Sequence, residues 1–185
     1  METPLPTFTY HPDPVATGSV VRTDEACEAC DQVRGYIYTG PVYAVEEIEL
    51  LCPWCIADGS AARDLGVTFG TVDGVPIDVP AEVLDEVLHR TPGFAGWQQE
   101  RWLFHCSDGA QYQGRVGYED VARLHGVVEM IAADGWDKDA LRHMSADGDL
   151  TGYLFSCRHC SARLAYADCY AERHAPRTPA PRCDL

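Results

Sequence analysis

Two Cys-x-x-Cys pairs, Cys27-Glu-Ala-Cys30 and Cys52-Pro-Trp-Cys55, stand 21 residues apart, and no other feature restricts the fold of this chain as much. A two-residue spacer lets both sulfurs of a turn point to one side, and two such turns close a tetrahedron around a borderline-soft ion. Thiolate donors select zinc or iron–sulfur over calcium or magnesium, and the spacing is close to that of four-cysteine zinc modules. Cys27, Cys30, Cys52 and Cys55 are therefore expected to form one structural Zn2+ site. Four thiolates saturate the ion and leave no position for water, so such a site organises the fold rather than performing chemistry. The order of knuckle, β-hairpin and CxxC at a helix start is treble-clef-like or ribbon-like. Packing alone rarely produces two such pairs, which weighs against four ordinary core cysteines.

A rival reading takes Cys52-Pro-Trp-Cys55 alone as a redox pair. It follows an apolar run and opens a helix, whose N-terminal dipole lowers a thiol pKa, and its four residues look like the CPxC centres of glutaredoxin-like proteins. A thioredoxin-like fold wants a βαβ unit around the motif, whereas the segment before Cys52 carries its own CxxC.

A second metal site is suggested by Cys157-Arg-His-Cys160, set between two β-prone runs as a knuckle is. Two ligands are not enough. Cys106 with either His105 or Cys169 would complete four donors, and zinc accepts sulfur or imidazole. Cys183, in a Pro-rich tail after Glu172, reads as a free thiol. His105-Cys106 beside Asp108 holds the residue types of a nucleophilic pair, but such pairs are normally built from distant positions. His11, His89, His125, His143 and His174 are isolated and read as surface or satisfied core histidines.

The chain has 185 residues, nine of them Cys, with 46% hydrophobic content, 14 Lys+Arg against 29 Asp+Glu, and a formal net charge of −15. That length suits a single compact domain spanning 1–185, with a four-cysteine module at 25–62 and a second Cys-rich region at 97–170. The acidic balance repels a phosphate backbone, so nucleic acid is not expected as a partner and a basic protein is. The start lacks a basic and apolar leader and no stretch approaches about 20 apolar residues, so neither membrane nor export is expected and the address is cytoplasmic. In a reducing compartment cysteines serve as metal ligands more often than as disulfides.

The expected fold class is α+β: small zinc-stapled β-hairpins packed with a few short helices. The Pro-punctuated lead-in, residues 1–24, packs through Phe8 and Tyr10. A β-prone run at Gly35–Thr39 turns at Gly40-Pro41 into a second run through Val42 and Tyr43, and Tyr36, Tyr38 and Tyr43 are expected to pack around the first site. A short helix is read over Ile56–Arg63. Pro80 opens another, with Val83, Leu84, Val87 and Leu88 on one stripe. A third is read over Glu119–Ala133, weakened by Gly126, and Asp137 is placed to cap a fourth. Two strands, Gly152–Cys157 and Ala162–Tyr166, flank the late knuckle. The core is expected to use Trp97, Trp102, Phe104, Val121, Leu124, Val128, Leu154 and Phe155.

Tyr10-His-Pro-Asp-Pro14 with Thr17-Gly18, the first CxxC, Arg34-Gly-Tyr-Ile-Tyr-Thr-Gly40, Cys52-Pro-Trp-Cys-Ile-Ala-Asp-Gly-Ser60, Arg90-Thr-Pro-Gly-Phe94, Trp97-Gln-Gln-Glu100, His105-Cys106 and Cys157-x-x-Cys160 follow one another in order. Together they resemble the CbrC-like family of bacterial proteins over about residues 5–170. The resemblance implies that the cysteine pairs belong together, and it adds a bacterial, colicin-tolerance context without an established reaction. It also implies a further cysteine where this chain has Ala110, in which case the second site either has lost a ligand or is completed by His105 or Cys169.

Three functions are consistent with these features. The first is a non-enzymatic zinc-stabilised interaction protein whose acidic face, including Glu46, Glu47 and Glu49, meets a basic protein in a toxin-tolerance or immunity setting. The second is a thiol–disulfide oxidoreductase using Cys52 and Cys55. The third is a metal-dependent hydrolase at the second site, for which the sequence names no general base. No GxGxxG, P-loop, HExxH or GxSxG motif is present,.

Overall fold

A computed structural model describes residues 4–71 and 74–170. The tail after Glu172, with His174 and Cys183, lies outside the described residues. The architecture is α+β, with three small antiparallel sheets and six short helices among the described residues.

The lead-in does pack through Phe8 and Tyr10, which are 5% and 3% exposed. It ends in β1 (Val20–Arg22), which pairs antiparallel with β2 (Tyr36–Tyr38). This corrects the expected hairpin. The run at 42–43 does not fold back on β2; Tyr43 instead bridges Thr68, and the partner of β2 comes from the lead-in. Three-residue strands carry too little alternation to name a partner, so tertiary packing chooses it.

After Cys52 the chain forms α1 (Pro53–Ala57) and α2 (Ser60–Leu65) rather than one helix. Gly59, at φ 74°, takes a left-handed conformation that breaks the ladder between them,. Pro53 starts α1 where its missing N–H costs nothing,. The stripe of Val83, Leu84, Val87 and Leu88 forms α3 (Ala81–His89), with Pro80 at its N-cap.

A two-stranded ribbon follows, β3 (Phe104–His105) with β4 (Asp108–Gly109). The main sheet then begins with β5 (Gln111–Val116). The expected Glu119–Ala133 helix is split into α4 (Tyr118–Val121) and α5 (Val127–Ala133), because Gly126 sits at φ 77°,. Asp137 caps α6 (Lys138–Leu141) as expected, its carboxylate accepting the N–H groups of Asp139 and Ala140,. β6 (Leu150–Ser156) and β7 (Arg163–Cys169) complete a sheet of order β5-β6-β7.

Apolar side chains gather in three clusters. One, around Tyr38, Leu51, Ile56 and Phe69, all at most 1% exposed, encloses the first cysteine set. Each such side chain contributes about 1.5–3 kcal/mol of burial toward holding the loops around the set. A second cluster is aromatic: Phe94 stacks on Tyr112 with centroids 4.0 Å apart and contacts Trp102, Tyr153 and Phe155. The third packs α4, α5 and α6 on the main sheet through Val121, Val127, Ile131 and Leu141. Trp102, Val121 and Phe155 are core residues as expected, while Phe104, Leu124, Val128 and Leu154 are half-buried at the edges of these clusters. Trp97 departs from expectation at 41% exposed, its indole N–H donating to the Gly148 carbonyl and the Thr151 hydroxyl. Among the described residues no helix is long and apolar enough to cross a membrane.

Candidate metal centres

The first CxxC forms a knuckle by local backbone bonding. The Cys27 carbonyl accepts the N–H groups of Cys30 and Asp31, at 3.3 and 2.8 Å, and Asp31 adopts φ 54° to turn the chain back. The second pair repeats the device at the start of α1, where the Cys52 carbonyl accepts from Cys55 and Ile56. Glu28 fastens one turn to the other: its carboxylate accepts the N–H groups of Glu49 and Leu50, at 2.9 and 2.7 Å, and its own N–H donates to Leu50.

Cys27, Cys30, Cys52 and Cys55 thereby present four sulfurs that all lie within 4.8 Å of one another. Sulfurs at the corners of a tetrahedron with 2.3 Å bonds stand about 3.8 Å apart. The Cys30–Cys52 separation is 4.0 Å, so the donor set fits a zinc-sized ion. Cys27 and Cys52 are fully buried and Cys55 is 3% exposed. The Cys52 thiol hydrogen-bonds to Cys27 and, with backbone N–H groups and against the effect of burial, holds it well below the ordinary thiol range. The same contact, with burial, pushes Cys52 up. This asymmetry is that of thiols crowded together, one of which readily becomes a thiolate. Tyr38 packs against the set and Tyr36 lies beside it, near Trp54. Tyr43 does not: it is 36% exposed, and its hydroxyl donates to Glu100 at 2.6 Å.

The second group joins His105, Cys106, Cys157 and Cys160, whose donor atoms also lie within 4.8 Å of one another. His105 Nδ1 is 3.2 Å from the Cys106 sulfur and 3.6 Å from the Cys160 sulfur. A tetrahedral pair of one imidazole nitrogen and one thiolate stands about 3.6 Å apart, so this set fits too. Two features aim these donors. Cys106 and Ser107, at φ 52° and 56°, form the two-residue turn of the β3–β4 ribbon, a type I′ geometry that non-glycine residues adopt only at a cost,. Cys157 and Cys160 sit in the loop between β6 and β7, where the Cys157 N–H donates to the Ala162 carbonyl and the His159 N–H donates to the Cys157 sulfur. Burial opposes ionisation of Cys157, but the N–H of His159 and the His105 ring outweigh it and bring the thiol down to about 6. Here Cys106 and Cys160 are exposed and only Cys157 is buried.

Cys169 is not part of this group. It ends β7, the strand that starts beside the 157–160 turn; a strand of seven residues spans about 20 Å, and Cys169 is buried under the helices in the third cluster,. Ala110 is 1% exposed in the aromatic cluster, so that position serves packing, and four donors assemble without it.

Sequence reasoning placed Asp108 only in a doubtful nucleophilic arrangement. In the fold it joins the two halves of the second group. One carboxylate oxygen accepts from Arg158 and from His159 Nε2, both on the knuckle, while the other accepts the Tyr10 hydroxyl at 2.7 Å and the Gly109 N–H. Burial pushes its pKa up, but Tyr10, His159 and Arg158 prevail and hold it below the ordinary carboxylate value. The pairing of Asp108 with His105 across a tight turn was the available signal. Glu28, between two ligands of one CxxC, gave none.

A cleft of about 630 Å³, lined in part by Asp13, Thr17, Phe94, Tyr112 and Arg115, lies apart from both cysteine groups. Behind it His11 is fully buried and satisfied. Its Nδ1–H donates to the Pro92 carbonyl and its Nε2 accepts from Thr17, and burial lowers its pKa to about 4, so it is neutral.

The fold and these two groups define an α+β protein organised around a four-cysteine set, buried apart from half-buried Cys30, and a three-cysteine, one-histidine set in which Cys106 and Cys160 are exposed. The chain belongs to the uncharacterised protein family UPF0167, whose family model matches residues 5–169. A UPF0167 protein of Mycobacterium bovis is 49% identical over 174 residues, covering 89% of this chain and 93% of the relative, and one of Mycobacterium tuberculosis matches equally. A UPF0167 protein of Pseudomonas aeruginosa is 39% identical over 171 residues, covering 86% of this chain and 94% of the relative. No solved structure matches.

Proposed function

We propose that this UPF0167 protein is a zinc-stabilised, non-enzymatic interaction protein that holds two Zn2+ ions and binds a basic protein through its acidic surface. The observation that carries the reading is that each group brings four donor atoms within 4.8 Å of one another. A full set leaves no position for water or substrate, which is the arrangement of structural rather than catalytic zinc. Zinc binding would then be part of the folding free energy.

The partner reading rests on charge. The net charge is −15, and Glu46, Glu47 and Glu49 are exposed on the segment that Glu28 ties to the first knuckle. The resemblance to CbrC-like proteins supports colicin tolerance or immunity in the bacterial cytoplasm as the setting. Burial of Cys52 and Cys55 beside two further sulfurs weighs against the thiol–disulfide oxidoreductase, because a redox centre must be reached by another thiol,.

Elemental mass spectrometry on protein purified without added metal tests the metal content. Two zinc ions per chain with the seven clustered thiols protected is the expected result. No metal, with Cys52 and Cys55 rapidly alkylated or disulfide-bonded, would overturn the proposal and favour the oxidoreductase. Association with a basic protein partner should weaken steeply between low and physiological salt.

A further inference from the structure

Two thiol groups on one chain differ in how they meet solvent, and that difference has chemical consequences. Cys27, Cys52 and Cys55 are at most 3% exposed and enclosed by the first apolar cluster, whereas Cys106 and Cys160 are both exposed. Cys106 occupies the tight two-residue turn of the β3–β4 ribbon at φ 52°, followed by Ser107 at 56°, which holds its sulfur out at the surface beside the 157–160 loop. The two exposed sulfurs already lie within 4.8 Å of each other, so a bond between them needs only a local closing movement,. His105 Nδ1 stands within 3.6 Å of both, and no apolar side chain need move for a small polar reactant to arrive.

We propose that Cys106 and Cys160 are an oxidation site for hydroperoxides, forming a disulfide that expels zinc from the second group while the first keeps its ion. The inference rests on the zinc reading above and adds the reactant class and the order of loss. The Cys106 thiolate attacks one oxygen of hydrogen peroxide: a sulfur–oxygen bond forms, the oxygen–oxygen bond breaks and hydroxide leaves. The Cys160 thiolate then attacks the sulfenic sulfur, forming the S–S bond and releasing a second hydroxide. Both hydroxides take protons from solvent, so two thiolates are oxidised by two electrons and one peroxide is reduced to two waters. The second group is left with His105 and Cys157, too few donors to retain zinc. A thiol reductant restores both thiolates and the site can refill.

The test uses the full chain. Zinc is counted first, then protein is exposed to excess hydrogen peroxide while released zinc is read with a chromogenic chelator and disulfides are mapped by mass spectrometry. The expected result is release of one zinc of two, a Cys106–Cys160 linkage, and recovery of the ion after reduction. A count of fewer than two before oxidation defeats the zinc reading itself. Two zinc ions released together, none released, or a linkage to Cys157 or within the first group overturns the present inference alone.

Discussion

The two cysteine groups offer the same number of donors and share the two-residue spacer, yet they are held in opposite ways. The first is closed by packing: its knuckles are stitched by backbone hydrogen bonds and Glu28, and Tyr38, Leu51 and Phe69 cover it. The second is closed by polar contacts at the surface, with a strained turn on one side, a hairpin loop on the other and Asp108 between them. A ligand lost from the first leaves unpaired thiols in an apolar core, while a ligand lost from the second leaves them in water. Equal donor sets therefore carry unequal structural weight, because the surroundings decide what an unligated donor would meet.

The sharpest way to break this comparison is Cys52→Ser. It should abolish one zinc ion and remove about 5 kcal/mol, lowering the midpoint of thermal unfolding by more than about 10 °C, as read by calorimetry. A loss no larger than that of a mutation in the second group would show the two to be equivalent. Cys160→Ser should also release one zinc but cost only about 2 kcal/mol, with the far-ultraviolet circular dichroism preserved. Chelator titration sharpens the contrast without mutation: the exposed ion should leave first and the buried one only with unfolding.

Asp108→Asn tests the polar closure. Asp108 is held below its ordinary carboxylate value, so its contribution to stability is present above the unfolded pKa of about 4 and lost as pH falls through the lower native one,. The variant should lose about 1–3 kcal/mol at neutral pH, and the gap from wild type should narrow below about pH 4 in denaturant melts. The smallest effect belongs to Glu28, which is exposed: Glu28→Ala should cost about 1 kcal/mol and Glu28→Gln less, since the amide oxygen still accepts from Glu49 and Leu50,.

How much of this could be read in advance follows the same divide between local and distant causes. The knuckles at Cys27–Cys30 and Cys157–Cys160, the stripe of α3 and the cap at Asp137 depend on neighbours a few residues away, and all were legible. The partner of β2, the exposure of Trp97 and the choice of His105 over Cys169 depend on residues far along the chain. Cys169 had the right side chain and a plausible place in sequence, but the length of β7 carries it away from the turn. The break at Gly126 lies between: the residue was visible as a weakness, and only the left-handed geometry made it an end. Asp108 was misjudged because its two partners, Tyr10 and the 158–159 pair, lie 98 and about 50 residues away.

Tyr10 has a further consequence, which concerns time rather than stability. The lead-in is synthesised well before its partners: Tyr10 bonds to Asp108, and the Thr9 carbonyl accepts from Gln111, 102 residues on. The first group needs only the span from Cys27 to Cys55 and can assemble while most of the chain is still unmade. The second must wait for Cys160. Contacts of such unequal sequence separation close in order of their loop lengths. Within one lead-in, β1 can thus pair with β2 early, while Tyr10 and Thr9 wait for the chain to reach Asp108 and Gln111.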